Sequence, residues 1–345
     1  MKTVLCTLYN SFYLDKGLVM YDSLKEVSSG FILYVLCMDD KCYDVLTDIK
    51  ADSMVPIKLE EFEDEELLEI KKTRSFGEYC WTLTPSLISY ILKKYEEPIC
   101  TYIDADMFFY QNPQVLIDEM LMVDKTVMIT PHRFSPENEK QIVKGVYCVE
   151  FNTFVNENTS LNILEEWRKN CLNNCAVKND GKHFGDQKYL DKWPKDYPSV
   201  VHVCQHPGAG VAPWNIAWYE KRDMVKHTVY YKKGRLDIPV VFFHFHHVKY
   251  ITRDVINTSI DANASTIDFD LVNSFYFEYL MTIEKKKKFL ESKYGIDYIM
   301  VEHPVVMQYK NWKTWLKKYR LIVRIHKYIC PHKYPDEYII KLERN

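Results

Sequence analysis

Residues 101–113 read TYIDADMFFYQNP, an apolar run that ends in Asp104-Ala105-Asp106 before Asn112-Pro113 turns the chain. Residues two apart point to the same side of an extended chain, so Asp104 and Asp106 can face one ligand together. Two carboxylates at one spot repel each other unless a cation sits between them. Mg²⁺ or Mn²⁺ bridging to a diphosphate is the natural occupant, because the diphosphate supplies further oxygens and the opposite charge. A bare Asp-x-Asp also serves turns and helix caps. The strand before it and the aromatic residues after it favour the cation reading.

Other segments carry chemistry of their own. Residues 242–247, FFHFHH, place His244 and His246 on one side of an extended chain and His247 on the other. Gly185-Asp186-Gln187 opens a helical stretch, where Asp186 is either an N-cap or a group that meets substrate. Asn152 lies in CVEFNTFV, and the loop HPGAGVAPWN offers close backbone approach followed by Trp214. Arg74, with its planar guanidinium, suits a diphosphate. Lys249 follows the histidines and can reach a phosphate as a point charge.

The elements that must position these residues can be read from periodicity. Thr3–Leu8, Phe31–Cys37, Met54–Lys58 and Pro98–Ile103 read as buried strands. Leu18–Glu26, Tyr43–Ile49 and Thr84–Lys94 read as helices between them, and Leu59–Lys72 as an acidic, solvated helical stretch. This alternation argues a parallel sheet with helices on both faces. In such sheets ligands bind beyond the C-terminal strand ends. Thr7, Tyr9, Asn10, Asp39, Asp40 and Asp104 all fall there. Val127–Pro131, Val146–Val155, Val200–Cys204 and Val240–His247 read as further strands, with helices at Ser160–Cys171 and Asp186–Lys192. From about Asp268 the texture changes to long, charged helical segments.

The chain has 345 residues, 47% hydrophobic and 27% charged, with only 10 Gly, which excludes a disordered or collagenous protein. A net charge of −3 argues against a general nucleic-acid binder. Cys6, Cys37, Cys100, Cys148 and Cys204, half of the 10 cysteines, sit within or beside apolar runs and no two pairs have zinc spacing, as expected of a reduced, cytoplasmic protein. The N-terminus does not read as a signal peptide, and no apolar run approaches a membrane span. The sequons at Asn158, Asn257 and Asn263 are then chance matches.

Taken together, the strand at Thr3, RSFGEYCWTLTPSLISYIL, TYIDADMFFYQNP, CVEFNTFV, HFGDQKYLD, HPGAGVAPWN and FFHFHH resemble, in their order, a nucleotide-sugar glycosyltransferase of the GT-A fold. The ensemble is most similar to bacterial enzymes related to glycogenin and to the lipopolysaccharide galactosyltransferases, and spans most of residues 1–250. The resemblance implies an α/β fold with a mixed sheet flanked by helices. It places a catalytic domain at 1–265 and a helical, basic extension at 266–345. It implies that Asp104 and Asp106 hold the divalent metal and that a late histidine, His244 or next His246, completes the set. A nitrogen donor favours Mn²⁺ over Mg²⁺. The Gly-Lys element that follows this histidine in the galactosyltransferases is missing here. Thr7, Tyr9, Asp39, Arg74, Ala105, Asn152, Trp214 and Lys249 are then the donor-binding set, and Asp186 and Gln187 the residues at the transferred sugar.

The implied activity is transfer of a sugar from a nucleotide diphosphate, with UDP as the expected base carrier. The acceptor is a saccharide or a lipid-linked saccharide in bacterial surface-polysaccharide synthesis. If transfer retains configuration no protein base is needed; if it inverts, Asp186 is the candidate base. Basic residues interleaved with aromatics over 310–333 suggest an interfacial helix at the inner face of the membrane, or a helix packed on the catalytic domain. A sugar-nucleotide nucleotidyltransferase would need a Gly-rich basic loop after the first strand, and TLYNSFYLDKG lacks one. A non-catalytic saccharide-binding module with a degenerate site is the rival outside enzymology, and the intact Asp-x-Asp speaks against it. HFHH lacks the helical spacing of a zinc hydrolase.

Overall fold

The computed structural model describes residues 2–178, 181, 183–252, 255–258, 268–296, 298 and 339–341. In chain order the strands among the described residues are β1 (Thr3–Tyr9), β2 (Phe31–Cys37), β3 (Met54–Lys58), β4 (Ile99–Ile103), β5 (Met107–Phe109), β6 (Val127–Pro131), β7 (Tyr147–Val155), β8 (Val201–Val203), β9 (Tyr219–Asp223), β10 (Thr228–Tyr231), β11 (Leu236–Pro239), β12 (Phe242–His244), β13 (Lys249–Thr252), β14 (Val255–Asn257) and β15 (Ile339–Lys341). The helices are α1 (Leu14–Val27), α2 (Asp40–Ile49), α3 (Leu59–Phe62), α4 (Glu65–Lys71), α5 (Phe76–Lys94), α6 (Gln114–Leu121), α7 (Asn158–Asn173), α8 (Trp193–Asp196) and α9 (Phe269–Tyr294). The basic stretch 310–333 lies outside the described residues.

Seven strands form the main sheet in the order β3-β2-β1-β4-β7-β6-β8. The first four run parallel, as the alternation of strands and helices predicts. β7 alone among the seven runs against its neighbours, so the sheet is mixed. The chain moves outward from β1 to β3 and returns on the other side of β1 as β4. That reversal opens a crevice beyond the C-terminal ends of β1 and β4.

Strand alternation divides the core between the two faces of the sheet. Leu5, Tyr9, Leu33, Val35 and Ile103 pack with α1, α2 and α6. Val4, Cys6, Leu8, Leu36, Cys100 and Tyr102 pack with α5 and α7. A third apolar cluster joins α9 to β9–β12, with Phe245 stacked on Tyr279 at 3.7 Å between ring centres.

Several boundaries differ from the periodicity reading. α5 begins at Phe76, not Thr84, because Ser75 and Glu78 form a reciprocal capping box and the helix continues through Pro85. The acidic stretch is two helices, since Asp64 caps a new one by accepting from the Leu67 N–H. α1 begins at Leu14 rather than Leu18. The FFHFHH strand stops at His244, and His247 turns away with φ of 61°. Residues 187–192 form a 3₁₀ helix, and the Asp186 side chain does not cap it.

Gly17 lies inside α1, where alanine is ordinarily favoured by about 1 kcal/mol. A Cβ at this position would sit 2.4 Å from Cζ of the buried Tyr9 ring. Gly17→Ala is therefore expected to lower stability by about 1–3 kcal/mol through overpacking. Urea unfolding checks it, and a more stable variant would contradict this packing.

Candidate active site

The crevice beyond β1 and β4 holds the Asp-x-Asp. Asp104 leaves β4, Ala105 and Asp106 form a turn, and the chain re-enters β5. The two carboxylates thus come together through a turn rather than along an extended strand. β5 pairs antiparallel with β12, which sets His244 opposite Met107. The late histidine is carried to the aspartates by this short two-stranded sheet.

His244 Nε2 lies 3.1 Å from Asp106 Oδ1 and 3.6 Å from Asp104 Oδ2. The other ring nitrogen, Nδ1, lies 2.6 Å from Oε2 of Glu150. His244 and Glu150 are both buried. Neighbouring ligands around a cation of Mg²⁺ size stand about 3 Å apart. Asp104, Asp106 and His244 Nε2 therefore fit a divalent metal as they are placed, with one nitrogen and hard carboxylate oxygens. A second group, Cys148, Glu150 and His244, gathers on the Nδ1 side. There burial, followed by the Glu150 charge, pushes the Cys148 thiol up, and a protonated thiol is a poor ligand.

The electrostatics are those of too many carboxylates around one imidazole. Burial, and then the neighbouring Asp106 and Glu150, push Asp104 up to about 6 against the pull of His244. Burial works against Asp106 too, but the His244 charge and hydrogen bond hold it down to about 2. Burial alone would discharge His244; Asp106, aided by Cys148 and Glu150, raises it well above the usual imidazole value. The proton on His244 thus stands in for part of the charge a cation would bring.

Asp186 is buried on the same side. Tyr102 donates to Asp104 Oδ1 at 3.2 Å, and Asp186 lies within electrostatic reach of both Tyr102 and Asp104. Burial first, and the Asp104 charge second, push Asp186 up to about 8. Asn152, across from Tyr102 in the β4–β7 register, is fully buried with no hydrogen-bond partner on either amide atom. Trp214 is buried edge-on to His244 at 5.2 Å and to His246 at 5.3 Å, so it walls the metal group and is not an open stacking platform. His246 is exposed.

The remaining candidates take the following places in the structure. Tyr9 does not face the crevice: its parity on β1 buries it against Gly17, and its hydroxyl has no partner. Thr7 is buried on the same strand, its hydroxyl likewise unpartnered. Asp39 is committed to structure, accepting from the Cys42 N–H at 2.7 Å and from the Ser11 N–H and hydroxyl. Arg74 donates to the Cys171 and Leu172 carbonyls in the last turn of α7, at 3.4 and 3.0 Å. Gln187 donates to the Lys144 carbonyl at 3.0 Å. Lys249 is exposed on β13.

Two residues escape the sequence reading. Glu150 is the one charged residue in the strand Tyr147–Val155, and that oddity is its only signal. Lys16 is buried near the start of α1, its ammonium 3.8 Å from the Tyr13 ring centre. Burial lowers its pKa against the opposing pull of Asp15 and Asp106.

Asp186 carries a clear pH signature. Its pKa is raised in the fold, so the native state keeps a proton that the unfolded chain has lost. Stability from this group is full below about pH 4 and is lost as pH rises towards about 8. Asp186→Asn removes the titration. The variant should gain on the wild type by at most about 1.4 kcal/mol per pH unit across that window. Urea unfolding at pH 5 and pH 8 measures the difference, and a constant gap would contradict a buried, protonated Asp186.

No family model matches the chain. It is 32% identical over 286 residues to the uncharacterized protein YfnD of Bacillus subtilis (strain 168), covering 81% of this chain and 88% of that protein. It is 27% identical over 306 residues to YfnF of the same organism, covering 86% and 97%. Among solved structures it is similar to an active-site mutant of LgtC, at 10% identity and a TM-score of 0.49 over 80% of this chain and 95% of that one. It is also similar to apo mouse xyloside xylosyltransferase 1, at 12% identity and a TM-score of 0.48 over 72% and 98%. The chain that builds this carboxylate–histidine crevice belongs to the family of Bacillus subtilis YfnD.

Proposed function

We propose that this chain is a metal-dependent glycosyltransferase that moves a sugar from a nucleotide diphosphate, with a UDP-sugar as donor, to a saccharide or lipid-linked saccharide. The observation that carries this reading is the meeting of Asp104, Asp106 and His244 Nε2 at the switch point of the parallel strands. Mn²⁺ is the cation that suits two carboxylates and an imidazole. Bound there, it would neutralise charge developing on the leaving diphosphate. Catalytic residues 1–265 are followed by 266–345, which we assign to acceptor or membrane-surface contact; among the described residues no helix is long and apolar enough to cross a membrane.

The side chains divide the remaining work. Lys16 lies within electrostatic reach of Asp106, and Lys249 of Lys16, so both are available to the donor phosphates. The unpartnered Asn152 amide supports a contact with the donor sugar hydroxyls. Asp186 keeps its proton near neutrality and so suits hydrogen bonding to the sugar better than proton abstraction. That favours a retaining transfer. The acceptor oxygen bonds to the anomeric carbon, the anomeric carbon–phosphate oxygen bond breaks on the same face, and the leaving phosphate takes the acceptor proton.

Thermal shift tests the reading with UDP, GDP, CDP and dTDP, each with and without Mn²⁺. At a hundredfold excess over the dissociation constant, binding adds about 2.7 kcal/mol. For a chain of 345 residues that raises Tm by roughly 4 °C. The expected pattern is a shift with UDP that needs Mn²⁺ and disappears in Asp106→Asn. A folded wild type that responds to no nucleotide would sink the proposal.

A further inference from the structure

Glu150 is a fully buried acidic residue. Its Oε2 lies 2.6 Å from His244 Nδ1, and its Oε1 has no hydrogen-bond partner. The fold goes to some length to put it there. β7 is the reversed strand of the main sheet, so its first half lies beside the end of β4, where the Asp104 N–H donates to the Glu150 carbonyl at 3.2 Å. From the other side comes Gly210, with φ of 74°, where a Cβ would stand 2.4 Å from Glu150 Oε1. Asn215 fixes that loop by donating to the Gly210 carbonyl at 2.7 Å and to the His132 carbonyl at 2.9 Å.

An imidazole has two nitrogens, and only one can face Asp104 and Asp106. A carboxylate accepting from Nδ1–H leaves the Nε2 lone pair for a cation and fixes the ring plane. We infer that Glu150 is a positioning residue for the cation site. It holds His244 with Nε2 towards Asp104 and Asp106, and Gly210 is the clearance that lets it do so. The inference rests on the metal-binding reading proposed above.

Mn²⁺ titration of the full chain, read by the EPR signal of free Mn²⁺, separates the two. Wild type, Glu150→Gln, Glu150→Ala, Gly210→Ala and Asp106→Asn are compared, with a thermal melt on each. Glu150→Ala should weaken Mn²⁺ binding by roughly 10–100-fold. Glu150→Gln keeps an acceptor oxygen and should recover most of that loss. Gly210→Ala should weaken binding in the same direction although it touches neither His244 nor the cation. A folded Glu150→Ala that binds Mn²⁺ like the wild type overturns the inference, as does a Glu150→Gln that is equally weak. If Glu150→Ala does not fold, Gly210→Ala at wild-type affinity overturns it. A wild type that binds no Mn²⁺, indistinguishable from Asp106→Asn, fails the metal reading and takes this inference with it.

Discussion

Three carboxylates share one imidazole at the end of the central strands, and much of the molecule is arranged around that imbalance. Asp104, Asp106 and Glu150 each lie within 3.6 Å of a His244 ring nitrogen. Such a group is costly to bury unless its charges are paired and hydrogen-bonded. The pairing here is lopsided: the charge and hydrogen bond of His244 hold Asp106 down to about 2, while burial and the neighbouring carboxylates push Asp104 up to about 6. The carboxylate left short of positive charge is also the more exposed of the two aspartates, the one that meets whatever enters the crevice.

The sheet explains how residues so far apart in sequence meet. A parallel series β1–β4 brings two strand ends to one edge and leaves a crevice there. An all-parallel sheet would present only C-terminal strand ends at that edge. The reversed β7 adds the beginning of a strand, and with it Glu150 and Asn152. The β5–β12 pair then closes over the turn and delivers His244. The HPGAG loop fills the space behind it. Four segments that share no local pattern converge because each is fixed by backbone pairing or a buried side-chain contact.

What the sequence makes legible follows from this. Asp104 and Asp106 can be read because their relation is local, two residues apart at the end of an apolar run. His244 can be read because three histidines crowd one short aromatic segment. Glu150 cannot, since its meaning depends on a histidine 94 residues later and on a glycine whose missing Cβ makes room. Residue type and position carry less for the other candidates. Tyr9 and Asp39 stand near strand ends and Arg74 before a helix, but polar residues at such places also serve the fold. Strand parity takes Tyr9 into the core, the α2 N-terminus takes Asp39, and the carbonyls at the end of α7 take Arg74. Their partners are set by tertiary packing, which periodicity does not encode. The same limit explains the helix boundaries: Thr84 reads as a start, whereas the capping residue Ser75, nine residues earlier, decides.

The histidine proton gives the site a further property. A ligand nitrogen must be unprotonated to bind a cation, so metal and proton compete for Nε2. Both ring nitrogens of His244 lie within hydrogen-bond reach of a carboxylate, Nε2 of Asp106 and Nδ1 of Glu150, and Asp106 raises the affinity of the ring for its proton. A cation bound as proposed would have to displace that proton from Nε2. Asp104 would feel that change directly, being hydrogen-bonded to the Tyr102 hydroxyl and acting on Asp186 through its charge. The proposed cation contacts and the proposed sugar contact of Asp186 thus share one electrostatic field, centred on Asp104.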